Sequence, residues 1–282
     1  MRKGQGSKTA ARVAMYRAFA DRLHLTPRFA DPIAREWLRE PDRRRTLALP
    51  DAPPQTLCGR WRYGEALAGA TIMASRSVEV DDAIRAASND QLVILGAGYD
   101  TRAWRLNELS GTTVFEVDHP DTQRAKRSIA QGQAMKAKAV HFVPVDFTCD
   151  SLDDALDSVG HDGTRPTTWI WEGVVMYLTR ANIESTLRTI AKRSADNSQL
   201  VIVYIAPSLM MLPFAALVMV LGEPLRSTLG PVEMSALLAR YGFRTTRDVT
   251  VAEVARSLSL KPAVGDLMLR HLRVVTAARA TR

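Results

Sequence analysis

The chain reads as an α/β protein built on a doubly wound, largely parallel sheet, and three observations predict it. The apolar run Gln91-Leu92-Val93-Ile94-Leu95 ends in the turn Gly96-Ala97-Gly98. A second apolar run, Thr113 to Val117, ends in Asp118, about 20 residues beyond that turn, as in sheets that bind a nucleoside. From there on, strand-like and helix-like segments alternate, which implies parallel strands with helices on both faces.

Residues before about 88 precede the sheet and read as helical. Thr9 to Leu23 places Val13, Tyr16, Phe19, Ala20 and Leu23 at helical spacing. Asp31 is positioned to cap a second helix over Pro32–Leu38, with Pro32 at the first helical position. Pro41 to Pro54 reads as loop, and a longer helix is expected over Tyr63–Ala87. The predicted strands are Leu92–Leu95, Thr113–Val117, Val140–Val145, Thr168–Trp171, Leu200–Ile205, Phe243–Val249 and Leu267–Val275. Helices are expected over Asp121–Gln133, Arg180–Ser194 and Pro231–Tyr241, with a further one beginning near Leu152.

Bulk properties narrow the function classes. The chain has 282 residues, of which 46% are apolar, enough for a full core and too many for a disordered chain. Its two cysteines, Cys58 and Cys149, form no C-x-x-C, so neither a disulfide framework nor a zinc site is expected, and a reducing cytoplasm is the default. The net charge of +8 invites a nucleic-acid reading. Against it, the basic residues are dispersed, and the tight cluster Arg43-Arg44-Arg45 has no interleaved aromatic residues. The basic start, Met1 to Lys8, is followed by an amphipathic segment rather than the apolar core of a secretory signal. Leu200 to Leu221 is almost wholly apolar and of membrane-spanning length. Pro207 and Pro213 interrupt it and its first half is β-branched, so it reads as a buried strand, a turn and a greasy helix.

The glycine turn and the acid carry the chemistry. Gly96 and Gly98 let backbone approach a ligand at the carboxyl end of the first strand. A dinucleotide site wants a third glycine in G-x-G-x-x-G, and here that position is Thr101. The turn therefore suits a ligand with ribose and adenine but no pyrophosphate, of which S-adenosylmethionine is the common one. A carboxylate accepts from both ribose hydroxyls; by spacing, either Asp118 or Glu116 can serve. Asp146-Phe147 follows the third strand, where an acid can accept from the adenine amine and an aromatic can supply apolar contact. A plain helix-capping aspartate explains Asp146 equally well on spacing.

Four ordered motifs, Leu95 to Arg102, Phe115 to Pro120, Val145-Asp146-Phe147 and Trp171 to Leu178, resemble those of the leucine carboxyl methyltransferase family over about Thr9 to Phe243. The resemblance implies one S-adenosylmethionine-dependent methyltransferase domain over 1–282. It comprises a helical cap (1–88) and a Rossmann-like core (89–282) whose last strand inserts antiparallel. It selects Asp118 as the ribose ligand, supports Asp146 and Phe147 at the adenine, and makes Arg76 of Arg76-x-x-x-x-Asp81 the grip on the methionine carboxylate. Glu172 would bond the ligand's amino group or oppose its positive charge, and Tyr177 would orient the acceptor or lie in the core. His119 is the histidine nearest this site, without a base's partners. The bacterial branch implies O-methylation of a hydrophobic small molecule. The absence of an evident general base leans toward a carboxylate over a hydroxyl, since a carboxylate is already ionised. An apolar lid over 206–230, with Met210, Met211, Leu212, Phe214 and Met219, would receive the acceptor. Alternatives are methylation of a protein C-terminus, S-adenosylmethionine binding without turnover, and RNA methylation; oligomeric state and the acceptor's identity are not legible.

Overall fold

The computed structural model describes residues 8–147, 149–208, 225–260 and 266–280. Ahead of the sheet come α1 (Lys8–Arg22), α2 (Pro32–Glu36), α3 (Asp42–Leu47) and the long α4 (Leu57–Ala87). Asp31 caps α2 as expected, its side chain accepting from Ala34 N–H at 3.0 Å. The loop expected over 41–54 is interrupted by α3. Pro41 occupies the N-cap, where it does not break the helix that follows, and Asp42 and Arg44–Arg45 complement the helix dipole. Helix α4 starts earlier than expected, at Leu57, because Thr56 caps it through Gly59 N–H.

The core elements are β1 (Gln91–Leu95), α5 (Arg102–Arg105), β2 (Thr113–Asp118), α6 (Pro120–Ala130), β3 (Ala139–Pro144), α7 (Leu152–Ser158), β4 (Thr167–Trp171), α8 (Arg180–Lys192) and β5 (Gln199–Ile205). They are followed by α9 (Pro231–Arg240), β6 (Phe243–Thr250), α10 (Val251–Ser257), α11 (Asp266–His271) and β7 (Leu272–Arg279). Helix α10 was missing from the sequence reading; a Thr250–Glu253 capping box starts it. The strand expected from Leu267 begins only at Leu272, since α11 takes the preceding residues.

The seven strands run in the order β3-β2-β1-β4-β5-β7-β6, with β7 inserted antiparallel between β5 and β6. This is the predicted class of α/β sheet. Alternation of side chains divides the core. Leu92, Ile94, Val114 and Ile170 face α4, Trp37 and Trp104. Val93, Leu95, Phe115, Trp169 and Trp171 face the residues of α7, α8 and α9. The apolar stretch from Leu200 begins as β5, as predicted; most of the expected lid, residues 209–224, lies outside the described residues. The return leg is stitched to the turn after β4, Arg226 N–H donating to Met176 C=O at 2.8 Å. Among the described residues no helix is long and apolar enough to cross a membrane.

The chain leaves β3 at one side of β1 and re-enters the sheet as β4 on the other. A crevice forms where such a sheet reverses direction, outside the carboxyl ends of β1 and β4. Helix α4 passes beside it and brings Arg76 to that edge.

Candidate functional site

Gly96 and Gly98 have φ of +72° and +50°, the left-handed region that glycine enters without cost. At Gly96 the requirement is also steric, because a Cβ there would lie 2.0 Å from Val174 Cγ2. The loop they form is fastened to the end of β2. Gly96 and Ala97 donate to Val117 C=O at 2.8 and 3.0 Å, and Gly98 N–H donates to Asp118 Oδ2. The other carboxylate oxygen, Oδ1, accepts from His119 N–H at 2.6 Å. Burial pushes the Asp118 carboxyl up, against these two amides. Each carboxylate oxygen retains acceptor capacity for a hydroxyl.

Glu116, the alternative acid, faces elsewhere. It is 1% exposed and paired at 2.6 Å with Lys126 Nζ, from α6. His119 serves as the N-cap of α6, its Nδ1 accepting from Asp121 N–H at 3.2 Å; its Nε2 lies 3.8 Å from Asp146 Oδ2. Asp146 does not cap α7, a task that falls to Ser151. The main chain joins Asp146 to the Asp118 strand end through Val145 N–H, which donates to Asp118 C=O at 2.9 Å. Phe147 is half-buried against the second core face.

At the other end of the Gly96–Gly98 loop, Arg76 Nε pairs with Glu172 Oε1. Glu172 Oε2 is held at 2.9 Å by Arg102 Nη1. Burial raises the Glu172 carboxyl, but the two guanidiniums outweigh it and hold the group below the usual carboxylate range. Arg102 is 2% exposed and reaches Asp100 Oδ2 at 2.5 Å and Asp81 Oδ1 at 2.7 Å. Asp81 therefore serves Arg102 and Arg105, not Arg76, although the Arg76-to-Asp81 spacing drew the two together in the sequence. Arg105 and Arg17 complete the cluster at Asp31, at 3.9 and 3.4 Å.

This cluster decides what ligand the loop can hold. A pyrophosphate needs open N–H groups at the helix start. Here Arg102 N–H is already taken by Asp100 Oδ1 at 2.8 Å, and the buried Thr101 hydroxyl donates to Asp31 Oδ2 at 2.8 Å. Burial lifts the Asp100 carboxyl, yet the Arg102 guanidinium draws it well below the carboxylate range, so it stays ionised and keeps the N–H that a phosphate would need. The residues fit a phosphate-free nucleoside bearing an amino-acid head: an acid for a ribose at one end, a matched Arg–Glu pair for a zwitterion at the other.

A family model described as leucine carboxyl methyltransferase matches residues 10–191. The chain belongs to that family. Relatives include a provisionally named S-adenosyl-L-methionine-dependent methyltransferase of Frankia alni, 32% identical over 68% of this chain and 66% of that protein. A similarly named protein of Mycobacterium tuberculosis is 39% identical over 40% of this chain and 36% of its own length. The chain thus spans less than two thirds of the relatives it matches. Among solved structures, a provisionally assigned methyltransferase from Thermobifida fusca superposes with a TM-score of 0.61 at 13% identity, covering 99% of this chain and 97% of its own. A DUF574 family protein from Streptomyces avermitilis does so with a TM-score of 0.58 at 13% identity over 94% and 96%. Both share the fold of this family member.

Arg17, Asp31, Asp100, Arg102 and Arg105 are the site-edge residues that sequence reasoning missed. Asp100 and Arg102 stood within the first motif; Asp81 and Glu172, which pair with Arg102, and Asp31, which pairs with Arg17 and Arg105, lie far away in the chain, so no local spacing could reveal the cluster.

Proposed function

We propose that this chain is an S-adenosylmethionine-dependent O-methyltransferase, acting in the cytoplasm as one unit of cap and core, on a carboxylate or hydroxyl of a hydrophobic small molecule. The observation that carries the reading is the loop between Asp118 and the Arg76–Glu172 pair, with its helix start closed by Asp100. That arrangement matches adenosine joined to an amino acid and opposes a phosphate. The names of the relatives agree with it. When bound, S-adenosylmethionine supplies an electrophilic methyl on a cationic sulfur.

The residues then divide the work. Asp118 holds the ribose hydroxyls, and Asp146 with Phe147 holds the adenine. Arg76 takes the ligand carboxylate and Glu172 its ammonium. Glu172, kept negative by two arginines, also favours the ligand's positive charge. Catalysis rests on alignment of donor and acceptor. A carboxylate acceptor is ionised at neutral pH and asks no proton transfer of the protein, whereas a phenol would. Tyr177, on the turn after β4 and packed against the first core face, would orient the acceptor only from its exposed edge.

Calorimetric titration with S-adenosylmethionine and, separately, NADH tests the reading. The expected result is binding of the sulfonium ligand alone, weakened at least about tenfold by Asp118→Ala and by Arg76→Ala, the loss from one charged hydrogen bond. Preference for NADH, or indifference to both substitutions, would sink it. Methyl transfer from labelled S-adenosylmethionine to hydrophobic acids and phenols then identifies the acceptor class.

A further inference from the structure

Arg76 Nε and Glu172 Oε1 close on each other at the carboxyl end of β4. Their other attachments are unequal. Arg102 is fixed from three sides: Nε on Asp81, Nη1 on Asp100, and its backbone N–H on Asp100 Oδ1 at 2.8 Å. It touches Glu172 through the same Nη1 that holds Asp100. Arg76 has Glu172 as its ion-pair partner among the described residues. Glu172 is thus pinned on its Oε2 side and exchangeable on its Oε1 side.

We infer that Arg102 is a positioning residue, which holds Glu172 in place while the Arg76–Glu172 pair opens to admit a zwitterionic amino-acid head group. This rests on the proposed S-adenosylmethionine site and deepens it. Arg76 exchanges Glu172 for the ligand carboxylate, and Glu172 exchanges Arg76 for the ligand ammonium. The surrounding cluster sets four arginines (17, 76, 102, 105) against four carboxylates (31, 81, 100, 172). A zwitterion adds one charge of each sign and preserves the balance. A ligand with only one of the two charges leaves a buried charge unmatched, which is costly. A nucleoside with no head group leaves the pair closed. The site therefore selects by head group as well as by nucleoside, and Arg102 is what keeps one half of the selector still.

The test compares S-adenosylhomocysteine with 5′-methylthioadenosine, which has the same nucleoside and no amino-acid head, by calorimetry on the wild-type chain and Arg102→Lys. The wild type is expected to prefer S-adenosylhomocysteine strongly. Arg102→Lys, which cannot reach Asp81, Asp100 and Glu172 together, is expected to lower that affinity about tenfold and leave 5′-methylthioadenosine within about twofold. A merely structural arginine would lower both alike, and that result, or no change in either, overturns the inference. If Arg102→Lys does not fold, Asp100→Asn gives the same reading. Asparagine keeps the oxygen that accepts from Arg102 N–H but removes the charge bracing Nη1, so the preference should narrow; an unchanged preference overturns the inference. A wild-type chain that binds neither ligand overturns the S-adenosylmethionine site itself, and this inference with it.

Discussion

Two buried ion pairs stand near the carboxyl edge of this sheet, and they are built to opposite ends. Glu116 and Lys126 are each 1% exposed, and the ammonium lies 5.5 and 5.4 Å from the ring centres of Trp37 and Trp104. Arg76 and Glu172, beside the carboxyl end of β4, are 9% and 10% exposed. In the first pair burial wins: the Glu116 carboxyl is pushed up to about 7 in spite of Lys126. In the second, two guanidiniums win, and Glu172 is drawn down. One cation and a closed aromatic wall make a rivet. Two cations at a slightly more exposed position would make a handle for the ligand proposed above.

The largest effect expected from breaking this contrast is on stability. Lys126→Met keeps the apolar stem between the two tryptophans but strands Glu116, and should cost about 3 kcal/mol in urea unfolding. Replacing both partners, Glu116→Leu with Lys126→Met, should restore most of that, since an apolar pair of similar volume leaves nothing uncompensated. The affinity of the folded fraction for S-adenosylhomocysteine should not change. If Lys126→Met weakened ligand binding as strongly as it weakens the fold, the two pairs would not be separate devices.

The next effect is on binding. Glu172→Gln should weaken S-adenosylhomocysteine by about 1.5–3 kcal/mol, the value of a charged hydrogen bond. Its effect on unfolding should be smaller than that of Lys126→Met. Arg102 keeps Asp81 and Asp100, and the glutamine carbonyl still offers Arg76 an acceptor, whereas methionine offers Glu116 nothing. A stability loss exceeding that of Lys126→Met would make this pair a rivet as well.

Legibility in the sequence follows the same divide. The sheet was readable because each strand is a short apolar run with its own turn signal, and because Gly96, Gly98 and Asp118 lie at a spacing the fold itself imposes. The positions of Asp146, Phe147 and Glu172 at the same edge follow from the strand order, whereas Arg76, on α4, was legible only through the family resemblance. What was not readable depends on distant partners. Glu116 and Asp118 are equivalent by alternation, and only Lys126, brought in by α6, shows which of them is engaged. The spacing that joined Arg76 to Asp81 was real, but Arg102 and Arg105 take the aspartate. Helix α3 was hidden by flanking prolines, although Pro41 C=O accepts from Arg45 N–H at 3.1 Å, and β7 was expected too early because Leu267 to His271 is apolar enough to pass for strand.

The smallest expected effect is on pH dependence, and it separates the two pairs without mutation. The Glu116 carboxyl titrates near 7 in the fold against 4.5 in the ordinary case. The folded state therefore keeps a proton that the unfolded chain has released, and the stability this gives at low pH is lost as pH rises from 4.5 through 7. His161 acts in the opposite sense. Buried against Phe115 and Trp169, it is lowered from 6.5 to about 4 by burial, so stability present above 6.5 is lost as pH falls toward 4. Each group moves stability by at most about 1.4 kcal/mol per pH unit. Between pH 4.5 and 6.5 the two slopes oppose and nearly cancel, so thermal melts from pH 4 to 8 should show only a shallow maximum there, and His161→Phe should leave stability falling steadily from pH 4.5 to 7. Affinity for S-adenosylhomocysteine should stay level between pH 6.5 and 8, because Glu172 is negative throughout. A binding curve that declines through pH 7 alongside the melts would tie the ligand to Glu116, and the handle would have to be sought on the other acid of β2.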